Sequence, residues 1–317
     1  MPQVLLTFSA PFHSLAQGEA HRHGLSQFQT LSPETMLAAC PDCAALAQHW
    51  LHRPPIYIRH MFPVQRSGRW RGTGALRREL AEFPPARLQL RLPAWHPPGE
   101  EARLEGLWTG APERILSVLV HETRWWAGLS APRLNLSPWK GGAPQYEVDS
   151  GLVNRCEWKL REAIDTFGWR LGTGRALDLG ACPGGWSRVL LRYGLSVTAV
   201  DPRPEGMTVQ HARLEHRAEP AECFLRSAPA GGFDVLTNDM WLPAEETARL
   251  TRDAAPLLRP GGMALVTLKL GNVSPELESR RGPLRRALAI LREAYRIPRL
   301  RQLFYNRFEV TAWLVRS

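Results

Sequence analysis

Lysine is nearly missing from this chain. Of forty Lys and Arg residues only three are lysine, Lys140, Lys159 and Lys269, and the other thirty-seven are arginine. Such a bias can follow from base composition alone and carries no function by itself. It does single out each lysine, because lysine can give up its proton in a perturbed site and arginine cannot. Cysteine is scarce as well. Five cysteines in 317 residues, an odd count, argue against a disulfide scaffold and predict a reducing compartment. No apolar run approaches the ~18 residues that a membrane span needs. The opening MPQVLLTFSAPFHS lacks a basic segment and a long apolar one, so no secretory signal is expected and the cytoplasm is the expected location. Internal repeats and low-complexity tracts are missing too.

What the chain does have is positive charge. Forty basic against thirty acidic residues leave +10 at a pI near 10.0, which favours a polyanionic partner. Nine arginines and only two acids, Glu79 and Glu82, lie between Arg53 and Arg91, and nine arginines face one acid, Glu293, between Arg280 and Arg307. Hydrophobic residues at 44% and charged ones at 22% are ordinary for a chain that buries a core. The length suits two domains. PAWHPPGEE (93–101) and SPWKGGAPQ (137–145) read as connectors, the second as the junction. Expected domains are therefore 1–140, an N-terminal α+β part, and 150–317.

Strands and helices alternate in the second part. Ala176–Leu179, Val197–Val200, Phe233–Leu236 and Met263–Leu268 read as strands. Helices are expected at Trp186–Arg192, at Glu245–Leu258 stopping at RPGG, and at Pro283–Tyr295, where Leu284, Leu288, Leu291 and Tyr295 share a face. Leu300–Tyr305 and Val310–Val315 suggest a closing hairpin. The expected fold is α/β, a parallel doubly wound sheet that ends in an antiparallel hairpin.

The stretch ALDLGACPGGW (176–186) is strand, glycine turn and helix start, a place where backbone passes close to a ligand. Asp201 ends the following strand, twenty-three residues after Asp178, where it can take a ribose diol. The spacing after Gly180 is wrong for the GxGxxG dinucleotide cradle. A DxGxxPGGW turn resembles motif I of the class I methyltransferases, and the resemblance implies S-adenosylmethionine as cofactor. It assigns Asp178, Gly180, Pro183, Gly184, Gly185, Trp186, Asp201 and Asp239 to that cofactor, with Glu219 as a further candidate for its adenine.

Four more residues narrow the resemblance. NRCEWKLREA supplies Lys159, TNDMW supplies Asp239, LVTLKLG supplies Lys269 and YNRFEVTAW supplies Glu309. Their order is similar to the Lys-Asp-Lys-Glu tetrad of FtsJ-like ribose 2'-O-methyltransferases, over roughly residues 150–317. YIRHMFPV (57–64) and GLSAPRLNLSPWKGG (128–142) resemble the N-terminal region of the bacterial 23S rRNA methyltransferase M group, which includes a THUMP-type RNA-binding fold. The resemblance implies methylation of an RNA ribose, with 23S rRNA as substrate and an N-terminal domain that grips RNA. Its rivals are a 2'-O-methyltransferase for tRNA or the mRNA cap, and a catalytically idle RNA-binding or assembly factor.

A ribose hydroxyl is a poor nucleophile and is helped by a group that accepts or orients its proton. Arginine cannot do this; a lysine whose pKa is depressed by a neighbouring ammonium can. Lys159 beside Lys269 would supply that repulsion while Asp239 opposes it, and Glu309 would position Lys159 or the sugar.

Other signals are weaker. Cys40-Pro-Asp-Cys43 with His49 and His52 has poor spacing for zinc, and Ala38–Leu51 reads as a helix with buried cysteines. Cys182 has no evident base beside it in sequence. Asn238-Asp239 is a thin basis for a magnesium site. No metal is expected.

Overall fold

The computed structural model describes residues 1–93, 95–97, 99–106, 113–203, 205–271 and 277–317, with the side chains of 277–280 outside the description. Ala94 and Pro98 of the 93–101 connector, and the Arg280 side chain, fall outside it. The chain divides into two compact units, Met1–Gln145 and Tyr146–Ser317. No described helix is long and apolar enough to cross a membrane.

The first unit holds two four-stranded sheets. One is built from β1 (Gln3–Phe8), α1 (His13–Arg22), β2 (Ser26–Ser32), β3 (Thr35–Ala39), α2 (Cys43–His52) and β4 (Ile58–Val64). Its order β2-β3-β1-β4 is that of a split β-α-β fold. The second contains β5 (Arg66–Arg69), β6 (Arg87–Arg91), β7 (Ile115–His121) and β8 (Arg124–Ser130), in the order β5-β8-β7-β6. Helices α3 (Thr73–Leu80) and α4 (Glu100–Gly106) flank β6 in sequence. The helix expected from Ala38 begins at Cys43 instead. Pro41 cannot donate into a helix, and Asp42 caps the true start by accepting from the Ala45 N–H at 2.8 Å.

The second unit is a seven-stranded sheet. Its elements are α5 (Cys156–Phe167), β9 (Arg175–Leu179), α6 (Gly185–Arg192), β10 (Ser196–Val200), β11 (Leu214–Arg217), α7 (Ala221–Ser227), β12 (Phe233–Asn238), α8 (Ala244–Asp253), β13 (Leu258–Lys269), α9 (Leu277–Leu291), β14 (Tyr295–Arg301) and β15 (Glu309–Arg316). The order is β11-β10-β9-β12-β13-β15-β14, parallel as far as β13, with β15 antiparallel to both its neighbours. The central strands are continuous apolar runs because helices cover both faces of such a sheet. Ala176, Leu177, Leu179, Ala264, Leu265 and Val266 are all buried. Helix α5 ends where Gly168 turns left-handed (φ 62°) and the Trp169 N–H returns to the Ile164 carbonyl at 2.9 Å, seating Trp169 in the core.

Three expected boundaries move. Helix α8 ends at Asp253 rather than Leu258, because Pro256 has no N–H for a continuing helix and disfavours the helical conformation before it. Strand β13 begins at Leu258 and includes the RPGG stretch. Tyr295 opens β14 instead of closing α9: it is buried, and its hydroxyl donates to the Thr251 carbonyl at 2.9 Å. The hairpin's first strand accordingly lies before residue 302.

Candidate active site

The strand order puts the carboxyl ends of β9, β10, β12 and β13 along one edge, the edge at which open α/β sheets bind ligands. The β9–α6 turn is tied to the end of β10: the Gly180 and Ala181 N–H groups donate to the Val200 carbonyl, and the Cys182 N–H donates to Asp201 Oδ2 at 3.2 Å. Gly180 (φ 68°) and Gly184 (φ 109°) adopt left-handed backbone. A Cβ on Gly180 would meet Met240 Cγ at 2.3 Å, and one on Gly184 would meet Met207 Sδ and Val209 Cγ2, each at 2.7 Å. Gly185 faces Asn154 Oδ1 in the same way, at 2.6 Å. The Pro183 carbonyl accepts from the Thr208 hydroxyl at 2.9 Å.

Two of the residues assigned to the cofactor are internal supports of this turn. The Asp178 carboxylate is buried, accepting from Ser187 Oγ at 2.7 Å and from Thr237 Oγ1 at 2.8 Å. Burial pushes its pKa up to about 6. Trp186 lies in the core, and its indole N–H donates to the Cys156 carbonyl at 2.8 Å, joining α6 to α5. Glu219 pairs with Arg217 at 2.9 Å.

Asp201 is buried to 4% exposure, yet it is not idle. Arg203 clasps it, Nε to Oδ1 at 2.9 Å and Nη2 to Oδ2 at 3.1 Å. Burial works against the Asp201 charge, but the bonds from Arg203 outweigh it and hold the carboxyl below its usual range. A ligand diol would compete with that clasp. Cys182, without a base nearby in sequence, has His216 Nε2 4.0 Å from its sulfur, because the β10–β11 register sets His216 beside Ala199. Burial followed by the Asp201 charge pushes the thiol up to about 11, so it stays protonated.

The tetrad residues converge from four elements. Lys159 projects from α5, Asp239 follows β12, Lys269 ends β13 and Glu309 begins β15. Lys159 Nζ lies 2.6 Å from Glu309 Oε1 and 3.3 Å from Asp239 Oδ2. Lys269 Nζ donates to Asp239 Oδ1 and to Thr267 Oγ1, and lies 3.9 Å from Glu309 Oε1. Thr267 Oγ1 also donates to Asp239 at 2.5 Å. Glu309 is fixed by its own loop, since the Arg307 N–H donates to Oε2 at 2.6 Å.

The two lysines differ in proton affinity. For Lys159 burial opposes the charge, but Asp239 and Glu309 together outweigh it and hold the ammonium above its ordinary range. For Lys269 burial dominates and, with repulsion from Lys159, outweighs Asp239, so its pKa falls below the ordinary lysine value. Asp239 stays ionised below its usual range: burial resists, but Lys269 and Lys159 prevail.

Sequence reasoning missed Thr267, Met240 and Arg203. Thr267 was the most legible, because two residues before Lys269 on a strand is the same face. Among the described residues no group of three or more His, Cys, Asp or Glu is placed to hold a metal ion. In the other unit Cys43 Sγ points at the Gln3 and Cys40 carbonyls, and burial pushes its thiol up to about 12.

A parallel sheet with this order, a glycine turn after β9, an acid after β10 and four charged groups at the carboxyl edge define a class I methyltransferase unit. Residues 152–252 of this unit match the family model described as FtsJ-like methyltransferase. The chain is similar to proteins called ribosomal RNA large subunit methyltransferase M. That of Methylococcus capsulatus is 30% identical over 230 residues, 67% of this chain and 62% of that protein. That of Alkalilimnicola ehrlichii is 33% identical over 211 residues, 59% and 52% of the two chains. That of Halorhodospira halophila is 28% identical over 297 residues, 88% and 73%. The chain thus spans about three-fifths of the first of these relatives and half of the second.

Proposed function

We propose that this chain methylates the 2'-hydroxyl of an RNA ribose, with large-subunit rRNA as the substrate. The observation that carries the reading is the Lys159–Glu309 and Lys269–Asp239 cluster, which gives two lysines in one site opposite proton affinities. The residues fit the cofactor: Asp201 offers a carboxylate to a diol beside a turn in which Gly180 and Gly184 hold left-handed backbone and a Cβ would press on Met240, Met207 and Val209. When bound, S-adenosylmethionine supplies an electrophilic methyl group. Lys269, held by Asp239 and Thr267, is the group suited to receive the hydroxyl proton. Lys159, kept charged by Glu309, favours the deprotonated oxygen and depresses Lys269. The rRNA substrate is supported by the names of the relatives. We assign the RNA grip to the first unit, on the exposed arginines of β5 and α3. Mapping 2'-O-methylated nucleotides in total RNA from cells with and without this chain tests the reading. One large-subunit site should lose its methyl group; an unchanged map rejects the assignment.

A further inference from the structure

We propose that Trp241 is the platform on which the base of the nucleotide undergoing methylation stacks. The inference rests on the RNA-methylating reading and names how that site holds its substrate. Trp241 is 82% exposed, more than any other large hydrophobic side chain among the described residues, whereas Trp50, Trp125 and Trp186 are buried. A lone exposed apolar residue is common and needs no function. The position of this one carries the inference.

The segment that follows β12 presents three successive side chains. Asp239 joins the two lysines, Met240 lies against Gly180 of the glycine turn, and Trp241 projects outward. The Leu242 N–H bonds back to the Met240 carbonyl at 3.0 Å, closing a three-residue turn with Trp241 at its apex. Pro243 then forms a parallel bridge with Lys269, and the Thr247 N–H anchors the Pro243 carbonyl at 2.9 Å. The Trp241 backbone is therefore held between Asp239, which bonds Lys269, and Pro243, which bridges to it, within about 7 Å of chain from Asp239. That backbone is already ordered, so stacking has only the side chain left to order.

A regular RNA helix shows its 2'-hydroxyls only along a broad, shallow groove, whereas Lys269 is 9% exposed. An unpaired nucleotide brings its hydroxyl to such a group most readily, and its base, drawn from its neighbours, then needs another surface. Unpaired bases are commonly received on an aromatic face, which tolerates any base. The neutral, exposed indole two residues after Asp239 meets that need.

The test uses the full chain and total RNA from cells that lack it. Trp241→Ala should raise the KM for RNA roughly 5- to 100-fold, with kcat and S-adenosylmethionine affinity unchanged. Trp241→Phe should recover most of the loss. The fluorescence difference between wild type and Trp241→Phe should quench on adding a short single-stranded RNA and not on adding the same sequence as a duplex. An unchanged KM in Trp241→Ala, a matching loss of cofactor affinity, or equal quenching by duplex would overturn the platform while leaving the activity standing. Absence of methyl transfer by the wild type would instead reject the activity and the platform with it.

Discussion

Glu309 stands directly opposite Lys269 in the pairing of β13 with β15, yet its carboxylate binds Lys159, at 2.6 Å against 3.9 Å. The acid that the strand register offers to Lys269 is thus spent on the other lysine, and burial leaves Lys269 the easier to deprotonate. Lys269→Arg keeps the charge in a chain that carries thirty-seven arginines, but a guanidinium cannot accept a proton. Methyl transfer should fall by about 10²–10⁴-fold, the usual worth of a general base, with cofactor binding nearly intact. The wild-type rate should rise with pH and level off below the ordinary lysine pKa; the Arg variant should lack that limb. Lys159→Arg should cost less, because its role is to stay charged. Near-normal turnover by Lys269→Arg would reduce Lys269 to a sugar contact.

Asp178 gives a stability test with a defined sign. Its pKa rises on folding from 3.8 to about 6. Between these values the folded chain holds a proton that the unfolded chain has released. The Asp178 contribution is therefore fully present below pH ~4, falls as pH rises to ~6 and is level above, a loss of roughly 3 kcal/mol. Asp239, Asp201 and Asp149 are shifted downward and oppose this trend in the whole protein. The difference between wild type and Asp178→Asn isolates it. Denaturation from pH 4 to 7 should show Asp178→Asn gaining relative stability with pH, and a flat difference would refute the assignment. Asp178→Ala should destabilise at every pH, because it strands the Ser187 and Thr237 hydroxyls.

The clasp of Arg203 on Asp201 predicts opposite effects of two neighbouring substitutions. Asp201→Ala should weaken S-adenosylmethionine binding, by loss of the diol's acceptor. Arg203→Ala should tighten it, but only up to about fivefold, since Arg203 is exposed and such pairs are worth about 0.2–1 kcal/mol. Calorimetric titration separates the two. If Arg203→Ala weakens binding as much as Asp201→Ala does, the arginine belongs to the ligand's site and is not its competitor.

Lys159, Asp239, Lys269 and Glu309 were legible in the sequence through their resemblance to the FtsJ-like tetrad, and the structure sets Lys159 within α5, Asp239 just after β12, Lys269 at the end of β13 and Glu309 at the start of β15. The rarity of lysine sharpened two of them. The roles of Arg203 and Met240 were not legible, since they arise from side-chain contacts that no local periodicity encodes, whereas the strand period that sets Thr267 on the face of Lys269 could have found it. Tyr295 fitted a helix face in the sequence, and only its place in the fold, buried with its hydroxyl on the Thr251 carbonyl of α8, makes it the start of a strand. The two sheets of the first unit were hidden for a related reason. β1 and β4 are buried on both faces over most of their length, so they lack the alternation that marks a half-exposed strand.

The arginines between Arg53 and Arg91, nine alike in the sequence, are not alike in the fold. Arg59 is buried, Arg91 is half-buried with burial lowering its pKa, and Arg66 pairs with Glu82. Arg69, Arg71, Arg77 and Arg78 are exposed along β5, the turn after it and α3. Only such residues can release counterions from an RNA backbone. Replacing these four with glutamine should weaken RNA binding and lower the slope of log affinity against log salt by up to roughly 3, at about 0.7–0.9 for each phosphate no longer neutralised. Single-turnover methylation at saturating RNA should change much less, because none of the four belongs to the unit that holds Lys269. Arg59→Gln is the contrasting control: it should lower stability and leave the salt slope alone. An unchanged slope in the fourfold variant would make this stretch ordinary solvated surface and move the search for the RNA grip to the arginines of the second unit.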